Sequence, residues 1–268
     1  MTLGPVAKWL LRAGTVLTLV FVYTPIVVIA LYAFNESRIQ AWPIDGLTLE
    51  WFDRALHNPG ARDALMLSLK AAAGATLLAL VLGTLASLAV ARYRFFGRET
   101  ISFLVILPIA LPGIVTGMAL NATFNTTEIP FGLLTIIVGH ATFCIVVVYN
   151  NAVARLRRTS QHLEEASADL GADTWQTFRY VTFPQLRSSL LAGALLAFAL
   201  SFDEVIVTTF TAGGQQTLPL WILTNLSRPN QLPIVNVVGV VVILLSAIPV
   251  YFAHHLTQDE VTSAAPAA

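Results

Sequence analysis

EEASADLGADTWQTFRYVTFP, residues 164–184, is the polar interruption on which the reading of this chain turns. It carries charge, small residues and one glycine, and it separates two long apolar runs. Residues 163–170 are helix formers and small residues, and Gly171 supplies the left-handed stop that ends a helix at low cost. Asp173, with Gln176 three residues on, is a capping-box pattern that starts a second helix. Trp175, Phe178 and Tyr180 can anchor that helix, and Pro184 is expected to force a new direction before the next apolar run. The stretch therefore reads as two short helices joined at a glycine. Ala166, Ser167 and Ala168 leave a smooth flank that another protein can approach, with Glu164 and Glu165 at its rim. Taken alone, a solvated loop helix with a cap explains the same residues.

The surroundings make this module unusual. Of 268 residues 56% are hydrophobic and 11% charged, where a soluble domain carries about 25% charged residues. Several apolar runs approach or exceed the ~20 residues that cross a bilayer as a helix. Six spans are expected, at residues 10–34, 64–91, 101–124, 131–152, 189–210 and 234–256. The first follows Lys8 and Arg12 but is too long for a signal peptide and has no fitting cleavage site. The fold class is an all-α polytopic membrane protein, read as a single domain over 1–268. The one cysteine, Cys144, lies in an apolar run and reads as a small buried residue.

Lys and Arg set the orientation. With the N-terminus inside, Lys8, Arg12, Arg92, Arg94, Arg98, Arg155, Arg157, Arg158, Arg179 and Arg187 are cytoplasmic, against Arg38, Arg54, Arg62 and Arg228 outside. Both termini are then cytoplasmic, and so is the 153–188 loop that holds the module. In the outer loop, 35–62, Leu47, Leu49, Trp51 and Phe52 beside acids suggest a short interfacial helix, either a docking surface or an anchor. The TLPLWI stretch of the 212–231 segment is a candidate to dip back toward the membrane, and 257–268 reads as a flexible tail.

The module's spacing is specific. From Glu165 it runs E-A-S, three residues, Gly171, nine residues, then V-T-F-P. This resembles the EAA loop of ABC importer permeases, E-A-A-x3-G-x9-I-x-L-P, with Ser167, Val181 and Phe183 as conservative departures. The stretches LPIALPGIVTGMAL (107–120), GHATFCIVVVYNNAVARL (139–156) and AFALSFDEVIVTTFTAG (197–213) look like permeases of spermidine/putrescine importers, most like the second permease subunit. The resemblance implies a type I importer permease that encloses half of a translocation pathway. It implies a second permease, two ATPase subunits and an external binding protein as partners, in a bacterial inner membrane. Glu164, Glu165, Ala166, Ser167, Gly171 and Ala172 would then couple to the ATPase. No cofactor is expected in this chain. ATP and Mg belong to the partner ATPases, in keeping with the lack of a G-x-x-x-x-G-K-[ST] sequence.

Asp203 and Glu204 lie inside an apolar run. With the fifth span starting near Ser189, Asp203 is about 20 Å along a helix that rises 1.5 Å per residue. An acid facing lipid at the midplane costs about 2.5–3.5 kcal/mol on the insertion scale, so both are expected to face a bundle interior or a watery cavity. As neighbours about 100° apart on a helix, both cannot project along one line. One reading is a counter-charge for a polyamine such as putrescine or spermidine. The other is a structural pair, or a wet helix end. The candidate pathway set is Asp203, Glu204, Thr208, Pro112, Thr116 and Asn121. Pro108, Pro112, Gly113 and Gly117 point to a kinked helix, pathway-lining or simply packed. Asn150 and Asn151 read as helix-end caps, Glu36 and Glu128 as loop acids, and His140 as a satisfied core histidine.

Three function classes compete. A permease subunit of an ATP-driven importer, for polyamines or another small solute, accounts for the module. A secondary transporter or cation channel using Asp203 and Glu204 leaves its spacing as coincidence. A membrane enzyme finds no nucleophile elbow, no H-E-x-x-H and no His/Cys cluster to support it.

Overall fold

The computed structural model describes residues 4–44 and 46–246. In chain order its helices are α1 (Pro5–Ala33), α2 (Glu50–Leu56), α3 (Pro59–Arg92), α4 (Arg98–Ala110), α5 (Gly113–Thr126), α6 (Leu133–Arg158), α7 (His162–Asp169), α8 (Thr174–Thr177), α9 (Phe183–Phe202), α10 (Ile206–Thr211), α11 (Leu218–Asn225) and α12 (Leu232–Ser246). A π-helical turn, Phe178–Thr182, joins α8 to α9. Among the described residues the only extended pairing is an isolated bridge between Asn35 and Leu47.

Four helices are long and apolar enough to cross a bilayer: α1, α3, α6 and the run Thr174–Phe202. The shortest has 26 residues, about 39 Å at 1.5 Å per residue, against a hydrocarbon core of ~30 Å. The pair α4 and α5 counts as a fifth span only if its break is allowed. At the expected sixth span α12 is apolar but too short among the described residues to cross a bilayer, and the residues to 256 and the tail at 257–268 lie outside the described residues.

The third span differs from the expected kinked helix: α4 and α5 are bent by 105°. Pro112 has no N–H to donate, and it pushes Leu111 into extended backbone (φ −84°, ψ 143°), which ends α4. The fifth span also differs. It enters directly from the module, ends at Phe202, and restarts as the short α10. Pro184 does not redirect it. It sits in the first turn of α9, behind the π turn, where the widened backbone absorbs the missing N–H. The fourth span runs on to Arg158, so Asn150 and Asn151 are not helix-end caps; Asn151 Nδ2 donates to the Val147 carbonyl within the helix (2.9 Å). Arg155, Arg157 and Arg158 fill its last turn, where cations favour the helix dipole.

The described residues form two compact units, Asp63–Trp221 and the residues on either side of it. In the unit that contains residues 4–62, Trp51 of α2 is 3% exposed and its Nε1 donates to the Asn35 carbonyl (2.8 Å). The guanidinium of Arg54 lies 4.9 Å from the Trp51 ring centroid. Trp51 therefore closes the loop onto itself, while Leu47 and Leu49 precede the helix and are exposed.

The Asp63–Trp221 unit is built around α6. Ala75 and Ala79 of α3 and Leu186, Leu190 and Ala197 of α9 pack on Cys144, Val148, Ala152 and Leu156 of α6. Small residues let these backbones approach, as is usual between membrane helices. A Cβ on Gly193 would meet the Val148 Cα at 3.3 Å. Cys144 is buried as expected, with its Sγ against the Ala197 carbonyl (3.3 Å).

Candidate functional site

The glycine stop and the capping box form as the sequence predicts, but the second helix runs on through the π turn into α9, and Trp175 and Tyr180 are exposed instead of anchoring it. Gly171 takes φ +87°, and the N–H groups of Gly171 and Ala172 bond the carbonyls of Ala168 and Ser167 at the end of α7. Asp173 accepts from the Gln176 N–H (2.8 Å), and the Gln176 side chain accepts from the Asp173 N–H (2.9 Å). Ser167 and Thr177 hydroxyls join α7 to α8 (3.1 Å). Glu165, Ala166 and Gly171 are exposed, Ala172 partly so, and apolar surface lies among them at Leu163, Leu170 (90% exposed) and Trp175. The two glutamates are not equivalent. Glu165 points outward beside His162 (3.1 Å), whereas Glu164 turns inward to Arg92 and Thr182.

The second constellation is a pair of adjacent helix breaks. A Cβ on Gly113, the first residue of α5, would lie 3.6 Å from Ile206, the first residue of α10. Near the far end of α10, Asn121 Nδ2 donates to the Phe210 carbonyl (2.6 Å). Replacing Gly117 with valine is expected to lower the stability of the detergent-solubilised chain by about 1–3 kcal/mol, the usual cost of overpacking. Its Cβ would sit 2.6 Å from the Phe210 ring, and thermal unfolding followed by circular dichroism checks this.

The acids lie in the α9–α10 break, not along a continuous helix. Asp203 is the cap residue after α9 and is exposed; its carboxylate has no hydrogen bond or ion pair among the described residues. Glu204 is partly buried, and its Oε1 accepts from the Val207 N–H (2.8 Å), an orphan donor at the start of α10. The break is held from behind by residues that sequence patterns did not connect. His140 of α6, fully buried, bonds Ser201 through Nδ1 (2.7 Å) and Thr208 through Nε2 (2.8 Å). Thr208 donates its one hydroxyl proton to the Glu204 carbonyl (2.7 Å), so it accepts from His140 Nε2–H. Thr208 is thus buried support for the break, and Thr116 Oγ1 is buried with no hydrogen-bond partner among the described residues. Pro112 is exposed and Asn121 partly buried.

His140→Phe is expected to cost about 1–3 kcal/mol, two interhelical bonds at membrane-protein values. His140→Asn should recover part of this, as read from the thermal midpoint of the solubilised protein. No group of three or more His, Cys, Asp or Glu side chains is placed to hold a metal among the described residues.

Comparison with known proteins matches this architecture. Residues 79–260 match the family described as binding-protein-dependent transport system inner membrane component. The chain is 31% identical to the putrescine transport system permease protein PotI of Escherichia coli K12, over 88% of this chain and 86% of PotI. It is 30% identical to the spermidine/putrescine transport system permease protein PotC of Haemophilus influenzae, over 89% of this chain and 92% of PotC. A crystal structure of a bacterial ABC transporter involved in the import of the acidic polysaccharide alginate shares the fold, with TM-score 0.70 and 17% identity over 97% of this chain and 99% of that one. This multi-pass chain is therefore a transport permease rather than an enzyme, and it belongs to the family of binding-protein-dependent transport system inner membrane components.

Proposed function

We propose that the chain is one of two permease subunits of an ATP-driven polyamine importer in a bacterial inner membrane. The observation that carries the cargo class is the α9–α10 break. There an exposed carboxylate, Asp203, caps the end of a long helix whose last carbonyls carry the negative end of the macrodipole. Both favour a cation, and half-helix C-termini are a recurrent way to hold cations at membrane depth. The similarity to PotI and PotC supports the same class. Energy would enter through the exposed face of the module at Glu165, Ala166, Ser167, Gly171 and Ala172, with ATP and Mg on two partner ATPase subunits. A solute-loaded external binding protein would deliver the cargo, and the exposed Pro112 would line the pathway with Asp203.

The test is uptake of labelled putrescine and spermidine by cells carrying the whole importer, with and without this chain. Uptake that disappears and returns on complementation supports the reading. Unchanged uptake, with the chain still co-purifying with an ATPase, leaves an importer of a different solute.

A further inference from the structure

One side chain gathers the elements that meet beneath the module. Arg92 is the last residue of α3. Its Nε lies 3.0 Å from Glu164 Oε2 and 3.1 Å from Oε1 on α7, and its Nη1 donates to the Leu156 carbonyl of α6 (3.4 Å). Glu164 Oε1 also accepts from the hydroxyl of Thr182 (3.0 Å), in the π turn that leads into α9. The two charged side chains are 11% and 20% exposed, and Thr182 is buried. Among the described residues, Glu164 is the α7 side chain that bonds a helix preceding the module. The outward face, Glu165 included, has no such tie.

We propose that Arg92, Glu164 and Thr182 form the joint that passes movement of the α7–α8 module to α3, α6 and α9, and that they are positioning residues for energy coupling. The inference rests on the coupling reading of the module. A pair this shielded is screened far less than a surface ion pair. Its geometry also locks three helices at once, so a displacement of α7 is carried to each instead of being lost in a flexible loop. The π turn belongs to the same joint. Its widened backbone bears Thr182, two residues before Pro184, so the start of α9 is tied through Glu164 to the end of α3.

The experiment uses the complete importer reconstituted in lipid with its binding protein loaded with putrescine. It reads basal ATP hydrolysis and its fold stimulation by the loaded binding protein, per assembled complex. The stimulation reads the joint in one direction, from the loaded binding protein outside to the module that meets the ATPase. Arg92→Gln and Glu164→Gln are expected to lose about tenfold of the stimulation, the scale of coupling between residues in contact. The exchange Arg92→Glu with Glu164→Arg should restore at least half of it. Thr182→Val, a milder change that leaves the charges paired, should lose about threefold. It decides the matter should the charge variants fail to assemble.

Wild-type stimulation in Thr182→Val, or in the charge variants where they assemble, overturns the joint. Loss of stimulation that the exchange does not restore also overturns it. Glu165→Gln and Gly171→Leu serve as the separate control. If both keep wild-type stimulation, the coupling reading of the module has failed. If they lose it while the Arg92, Glu164 and Thr182 variants do not, only the joint has failed.

Discussion

Gly171→Leu is expected to lower solute import by about 100-fold or more, the scale of a disrupted interface hot spot, with the chain still inserted in the membrane. Two effects are folded into such a variant, and the geometry of Gly171 separates them. The residue holds φ +87°, and an L-amino acid there costs about 1–2 kcal/mol whatever its size. Among the described residues none beyond its two chain neighbours lies within 4 Å of the Cβ position, so bulk alone meets no obstacle there. Gly171→Ala, Gly171→Asn and Gly171→Leu therefore form a series. Asn tolerates the left-handed region and should be mildest in stability, Ala intermediate, and Leu close to Ala. Import should follow a different order, with Leu far below Ala, because only a partner seated over the glycine can sense the added volume. Uptake assays paired with thermal melting of the isolated chain read both orders. Leu and Ala variants with equal import would show that no partner approaches Gly171.

The module was legible because it is local. A glycine stop and a capping box four residues long are settled within a few turns, and the structure reproduces both. The effect of Pro184 was not, since a π turn upstream removes the conflict that proline makes in a regular helix. Prolines in general were poor guides to breaks. Pro25 and Pro108 lie inside α1 and α4, while Pro112 ends α4 with a bend of 105°. The difference is Gly113 after Pro112, and the packing of α5 on α10, which is a tertiary fact. The same limit divides Glu164 from Glu165. Neighbours on a helix project about 100° apart, and which one turns inward is decided by Arg92, 72 residues away in sequence. His140 was readable as buried, but its partners Ser201 and Thr208 lie 61 and 68 residues away, beyond any helix periodicity. The α9–α10 break is hard to see in the sequence because apolar residues continue on both sides of it with no proline or glycine between Phe202 and Ile206. Two adjacent acids in such a run were the available signal that the helix stops there.

Asp203→Asn is expected to reduce putrescine uptake by about 10- to 100-fold, with assembly unchanged. A unit charge about 5 Å from a cationic amine is worth roughly 3 kcal/mol at an effective dielectric near 20, which bounds the loss at the upper end. The variant keeps the α9 C-terminus, whose dipole contributes a further ~0.3–1 kcal/mol, so transport should be slowed and not abolished. The loss should be larger for spermidine than for putrescine, because each added positive charge meets the same missing anion. Glu204 offers the contrast. Its carboxylate is engaged as a cap, so Glu204→Gln keeps an acceptor for the Val207 N–H, while Glu204→Ala removes it. Glu204→Ala should therefore cost about 1 kcal/mol of stability, and Glu204→Gln close to none. If Glu204→Gln nevertheless slows uptake as much as Asp203→Asn, both charges face the cargo. If Asp203→Asn leaves uptake of both polyamines at wild-type rate, the exposed acid in the break is not part of the pathway. The helix termini that meet there would then serve packing alone.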